Sequence, residues 1–162
     1  MKKIVFLFIL LVIEFHSFSQ DSMQSMVNKG GFTIYPINQQ FGFRNSPTKK
    51  IGFEVKLKSD LYIVSSSFVS TITLNARMFK RKVISKKAYT YFGGGVLYKG
   101  FLSDPLVGIE MPFGAEVFPF NEFNRFSFIG ELSPYITYGV GDASIQISAF
   151  ATLGVGFYLK NK

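Results

Sequence analysis

The chain has 162 residues, 18 of them basic and 10 acidic, with 20 phenylalanines, 8 tyrosines and no cysteine or tryptophan. Lacking cysteine, it can form neither disulfides nor thiolate metal sites, and its length suits a single domain. The net charge of +8 invites a nucleic-acid reading, but the basic residues form no long tail or stripe of the kind that follows a phosphate backbone.

Lys2 and Lys3 open a segment whose apolar run, Ile4 to Ile13, is followed by small and polar residues through Ser19 and Gln20. This is the three-part plan of a secretory signal, with an apolar stretch too short for a stable membrane anchor and interrupted by Glu14 and His16. We expect residues 1–20 to be a cleaved signal peptide and 21–162 to be the domain. Cleavage removes the only histidine and leaves 16 basic and 9 acidic residues, a net charge of +7.

Beyond the leader no apolar run approaches the length of a spanning helix, so any crossing of a bilayer falls to strands. The polar stretch around Val27 to Ile34 is the preferred candidate for a first strand. A second runs from about Tyr35 to Arg44, and Asn45 to Pro47 is a turn. Ile51, Phe53, Val55 and Leu57 then alternate with Gly52, Glu54, Lys56 and Lys58 in a third strand, which Leu61 and Ile63 extend in the same parity. A turn at Ser59-Asp60, dividing 51 to 66 into two strands, is the competing route to an even count. The serines 65–67 mark the next break.

From 68 to 80 Phe68, Ile72, Leu74, Ala76 and Met78 oppose Thr71, Thr73, Asn75 and Arg77. Lys80, Arg81, Lys82, Lys86 and Lys87 follow in what reads as a solvated hairpin end, or a contact for anionic headgroups and lipopolysaccharide phosphates. In the strand 88 to 99 Phe92, Gly94, Val96 and Tyr98 should face out, and Tyr91, Gly93 and Gly95 in. The last three strands, near 106–119, 125–138 and 143–159, alternate almost without exception. Val107, Ile109, Met111 and Phe113 oppose Gly108, Glu110, Gly114 and Glu116, and the pattern repeats through Phe128, Leu132, Leu153 and Phe157.

Successive strand residues point to opposite faces, so each segment has one apolar and one polar or small face. The strands are long enough for the 9 to 11 residues or so that a transmembrane strand requires. The expected fold is therefore all-β, an antiparallel transmembrane β-barrel of eight strands. With its C-terminal strand ending in the periplasm, the turns near 45–50, 81–87 and 120–124 are periplasmic, and those near 65–67, 100–105 and 139–142 face outward.

An eight-stranded barrel is just wide enough for its own side chains to fill it, and charges within it must be paired. Glu54, Lys56, Arg77, Glu110, Glu116, Arg125 and Glu131 fall on the polar parity in complementary signs and form a candidate interior charge network. A charge-lined pore and a paired-carboxylate catalytic site are the alternatives. Serine needs an adjacent base for nucleophilic work, and the mature chain has no histidine, so no enzyme, cofactor or metal site is expected. Tyr98, Phe118, Phe120, Phe123, Phe126 and Tyr138, near strand ends, suit interfacial girdles.

The segment Met111-Pro112-Phe113-Gly114-Ala115-Glu116-Val117-Phe118-Pro119-Phe120, with Gly130-Glu131-Leu132-Ser133-Pro134 and a closing Gly154-Val155-Gly156-Phe157-Tyr158, resembles small outer-membrane β-barrel proteins of Bacteroidota-type bacteria. The leader ending Ser17-Phe18-Ser19-Gln20 is similar to theirs. The resemblance implies an outer-membrane location, a structural or narrow-channel role, and contact with outer-membrane lipid, lipopolysaccharide and the assembly machinery. One departure is that Leu159-Lys160-Asn161-Lys162 follow Tyr158, where such chains commonly stop at an aromatic residue. A periplasmic, lipocalin-like carrier with its apolar face turned inward is the other reading of the same alternation.

Overall fold

The computed structural model describes residues 29–64, 67–100, 105–120, 125–139 and 143–159. Residues 1–20, expected to be a leader, Val27 and Phe123 lie outside them, as do Ser65, most of the 101–105 and 120–124 breaks and residues 140–142. Nine strand segments follow in order: β1 Gly31–Tyr35, β2 Gln40–Arg44, β3 Ile51–Val64, β4 Ser67–Ser85, β5 Ala88–Gly100, β6 Leu106–Glu110, β7 Phe113–Val117, β8 Phe126–Gly139 and β9 Ile145–Tyr158. All pairings are antiparallel, each strand except the β6/β7 pair lies beside its sequence neighbours, and β9 returns to β1. The hydrogen bonds therefore close into a ring.

β6 and β7 are one stave of this ring, since both pair with β5 on one side and β8 on the other. Pro112 interrupts it because proline has no N–H to give to the ladder. The backbone bridges the gap: the Met111 N–H donates to the Pro134 carbonyl at 2.9 Å, and the Gly93 N–H to that of Pro112 at 3.1 Å. Inward parity is unbroken across it, from Glu110 through Pro112 to Glu116. Nine segments thus make eight staves.

One expectation for the first strands is corrected. Tyr35 to Arg44 is not one strand: Pro36–Asn38 form a 3-10 turn, and Gln39 adopts a left-handed φ of 52° before β2 begins. The fixed φ and missing N–H of Pro36 stop β1, so the first two strands form a short hairpin. Ser59 and Asp60 lie within continuous β3, so the first strand is the preferred one before Pro36 and not the product of a turn at Ser59-Asp60. The basic hairpin end is also narrower than its sequence implies, because β4 runs to Ser85 and only Lys86 and Lys87 turn.

The hairpin of β1 and β2 is much lower than its neighbours. β2 covers β3 only up to Lys58, and β1 covers β9 only from Val155 to Tyr158. Beyond those points β3 up to Val64 and β9 down to Ile145 have, among the described residues, a strand partner on one side only.

Side-chain sidedness is consistent around most of the described ring. Phe41, Phe53, Leu74, Phe92, Val96, Ile109, Phe128, Leu132 and Leu153 face outward and are exposed, while the inward parity is mainly polar, aromatic or glycine, with Leu97 and Ile129 as buried aliphatics. Inward glycines make room for long neighbours. A Cβ on Gly52 would lie 2.0 Å from the Phe79 ring, one on Gly114 2.4 Å from Tyr91, and one on Gly154 2.5 Å from Tyr35.

Gly93 and its neighbour Gly94 separate this packing requirement from strand propensity. A Cβ at inward Gly93 would meet the Met78 carbonyl at 2.0 Å, whereas at outward Gly94 its nearest contact is at 3.9 Å. We expect Gly93→Ala to lower stability by about 1 to 3 kcal/mol, the usual penalty of overpacking, and Gly94→Ala to leave it nearly unchanged. Urea unfolding followed by heat-modifiable gel migration measures the difference.

Candidate functional site: a buried ion-pair cluster

The centre of the barrel is occupied by three carboxylates and three cations, none more than 6% exposed. Arg77, on β4, lies between two of the carboxylates. Its Nη1 and Nη2 donate to Glu131 Oε1 and Oε2, both at 2.6 Å, while Nε reaches Glu54 Oε2 at 2.9 Å and Nη2 bonds the same oxygen. Arg44, on β2, donates to Glu54 Oε2 at 2.7 Å and to Glu116 Oε2 at 2.8 Å. Lys56 Nζ donates to Glu131 Oε1 at 3.1 Å.

Neutral donors saturate the remaining lone pairs. Thr33 and Tyr35 donate to Glu54 Oε1 at 2.7 and 3.0 Å. Tyr91 and Ser133 serve Glu131 at 2.6 and 3.0 Å. Glu116 accepts from Ser127 and Tyr158, each at 2.5 Å, and from the Tyr89 hydroxyl. Rings complete the enclosure, with the Arg44 guanidinium 5.0 Å from the Phe79 centroid and 4.9 Å from that of Tyr91, and Lys56 Nζ 4.5 Å from that of Tyr35. Such stacked cations gain from the ring quadrupole as well as from their counter-ions.

Of the seven residues read as an interior network, Glu54, Lys56, Arg77, Glu116 and Glu131 are brought together here. Glu110 is buried but stands apart. Asn75 Nδ2 donates to its Oε2 at 3.2 Å, and it joins no ion pair among the described residues. Arg125 is not in the interior: it is exposed in the turn that precedes β8. Its parity matches inward Ser127 and Glu131, but parity directs a side chain only where the backbone is extended, and at 125 the chain is still turning.

Arg44 was missed although the signal was present, since it shares a parity with Gln40 and Gly42 and opposes Phe41 and Phe43. Tyr35, Tyr89 and Tyr158 were missed because an aromatic residue reads as apolar, while here their hydroxyls are bonded inside. Phe118 is no girdle residue: it is 5% exposed and stacks inside on Tyr89 and Tyr158, at centroid distances of 6.3 and 5.8 Å. Arg81 is likewise turned inward, away from its basic neighbours, and its Nη1 donates to the carbonyls of Ser46 and Lys49 at 2.7 and 2.8 Å.

Ser127 and Ser133 sit on carboxylates as an activated nucleophile sits on its base. Both are 0% exposed. Glu116 already accepts four hydrogen bonds and Glu131 five, about the full capacity of a carboxylate or more, so neither has a lone pair free to take a proton. The arrangement ties β2, β3, β4, β7 and β8 together through the centre of the ring. No protein-family model matches the chain, and it matches no characterised protein and no solved structure.

Removing one partner of such a pair strands a buried charge, which typically costs about 3 to 5 kcal/mol. Arg77→Met and Glu131→Leu should each reach that range. The double variant should lose less than the sum, because it leaves fewer charges uncompensated. Denaturant midpoints of the four proteins complete the cycle, and additive losses would mean that the two side chains do not couple.

Proposed function

We propose that the protein is an integral outer-membrane β-barrel that serves the envelope structurally, exported by its leader and inserted with its apolar wall against lipid. The observation that carries this reading is the sidedness of the ring. Ile109, Phe128, Leu153 and the other outward apolar side chains are exposed, and every carboxylate whose side chain is described is buried inside. Water would penalise an outer wall of that composition, since contiguous exposed apolar surface seldom exceeds a few hundred Å² on a soluble monomer. In hydrocarbon the same wall is well solvated, and a closed ring satisfies the backbone groups that lipid cannot.

A lipocalin-like carrier requires the opposite sidedness, with an apolar lumen and a wet wall. A narrow channel requires a polar path along the axis. The central cluster, followed towards the chain termini by Phe79, Tyr89, Phe118 and Tyr158 at 0–5% exposure, fills the cross-section instead. This favours the structural role over conduction, and it favours no catalysis. Kinship with small barrels of Bacteroidota-type bacteria belongs to the same proposal, as does contact with the assembly machinery. The orientation that goes with it puts the turns 45–50 and 86–87 and the end of β9 on the periplasmic side.

Two measurements test this reading. A lipid-soluble photoreagent should label Ile109, Phe128 and Leu153 in the native membrane, and extraction should need detergent; labelling by water-borne probes alone would overturn the membrane assignment. The refolded protein should give a closed trace in a planar bilayer. Steady single-channel conductance would replace the structural role with a pore.

A further inference from the structure

Among the described residues, the fully exposed charges are all basic and gather at one end of the barrel. Lys49, Lys50, Lys80, Lys82, Lys86 and Arg125 are all exposed, and all lie at the rim that carries the turns 45–50 and 86–87 and the end of β9. The carboxylates whose side chains are described, Glu54, Glu110, Glu116 and Glu131, are buried in the interior.

The depth of these lysines is set by the strand lanes. On β4 the outward lane runs Leu74, Ala76, Met78 and then Lys80 and Lys82, so the wall changes from apolar to basic within two residues of one strand. Lys80 is paired across the ladder with Ile51 on β3 and with Phe92 on β5, both exposed outward. Lys50 immediately precedes Ile51 and is anchored by its carbonyl, which accepts from the Arg81 N–H at 2.9 Å. Between Lys50 and Lys80 an open groove is lined by Ile51, Met78, Phe79 and Gly93.

We propose that this rim is a docking site for anionic phospholipid, with a phosphate headgroup between Lys50 and Lys80 and an acyl chain along the groove below them. The proposal rests on the membrane reading given above. Lysines that continue a lipid-facing lane point sideways at headgroup depth. An acidic protein or glycan in the periplasm would instead be met from the axial end. Lysine also suits the ligand, because its long stem lies along apolar surface while its ammonium reaches the phosphate.

The test uses the full mature chain in vesicles of phosphatidylcholine, with or without phosphatidylglycerol, and counts the lipid retained after transfer to detergent. The wild type should retain phosphatidylglycerol preferentially, and high salt should weaken the preference. Each of Lys50→Gln, Lys80→Gln and Lys82→Gln should lower it about five-fold, while Lys99→Gln, at the far end of β5, should leave it unchanged. Heat-modifiable migration confirms that each variant is folded.

If the wild type floats with the vesicles after an alkaline wash yet retains both lipids equally, the docking site is wrong and the membrane reading stands. If it floats with neither vesicle, both fail. If the detergent-solubilised protein captures polyglutamate but does not discriminate between lipids, the rim belongs to a soluble polyanion and the proposal is overturned.

Discussion

Arg77 bridges Glu54 and Glu131, and Arg44 bridges Glu54 and Glu116, so two side chains tie β2, β3, β4, β7 and β8 through the centre of the ring. A charge enclosed by a closed sheet has no water to turn to, so every partner must arrive at the right height and on the right face. That requirement selects the register. A slip of one residue in β4 would move Arg77 to the outer wall, strand two carboxylates inside, and bring Met78 and Ala76 inward at once. Matching of charge and matching of hydrophobic face thus exclude the same misalignments.

Volume is matched as closely as charge. The long inward side chains of Arg77, Phe79, Tyr91 and Tyr35 lie against inward glycines on neighbouring staves, at 95, 52, 114 and 154. Small and large residues alternate across the ladder, which lets a narrow ring hold six charged groups and several aromatic rings. The tyrosines serve both needs. Their rings fill space and flank cations, and their hydroxyls supply carboxylates with neutral donors at no extra charge.

The outer strands could be read closely from the chain because a two-residue period is a strong signal over a dozen residues. β8 and β9 fall within a residue or two of their expected limits, and the inward places of Glu54, Lys56, Arg77, Glu116 and Glu131 follow from parity alone. Reading failed where the backbone leaves the extended conformation. Arg125 and the start of β2 lie in or beside turns, and there alternation has no directional meaning. It failed also for Phe118 and the tyrosines, since hydropathy does not separate an aromatic side chain on the outer wall from one that meets an arginine inside. Glu110 shows a third limit: parity places a carboxylate inside but does not say which cation reaches it.

The joint between β1 and β9 is the slenderest in the ring, with four residue pairs from Gly31–Tyr158 to Ile34–Val155, against fourteen between β3 and β4. It also unites the most distant parts of the chain, so its formation bears the largest loop-closure entropy of any seam. Every other staple is a hairpin between sequence neighbours. The ring therefore fastens at this joint last and parts there first, and its lifetime as a closed object is governed by the five-residue strand at its beginning rather than by the long staves opposite.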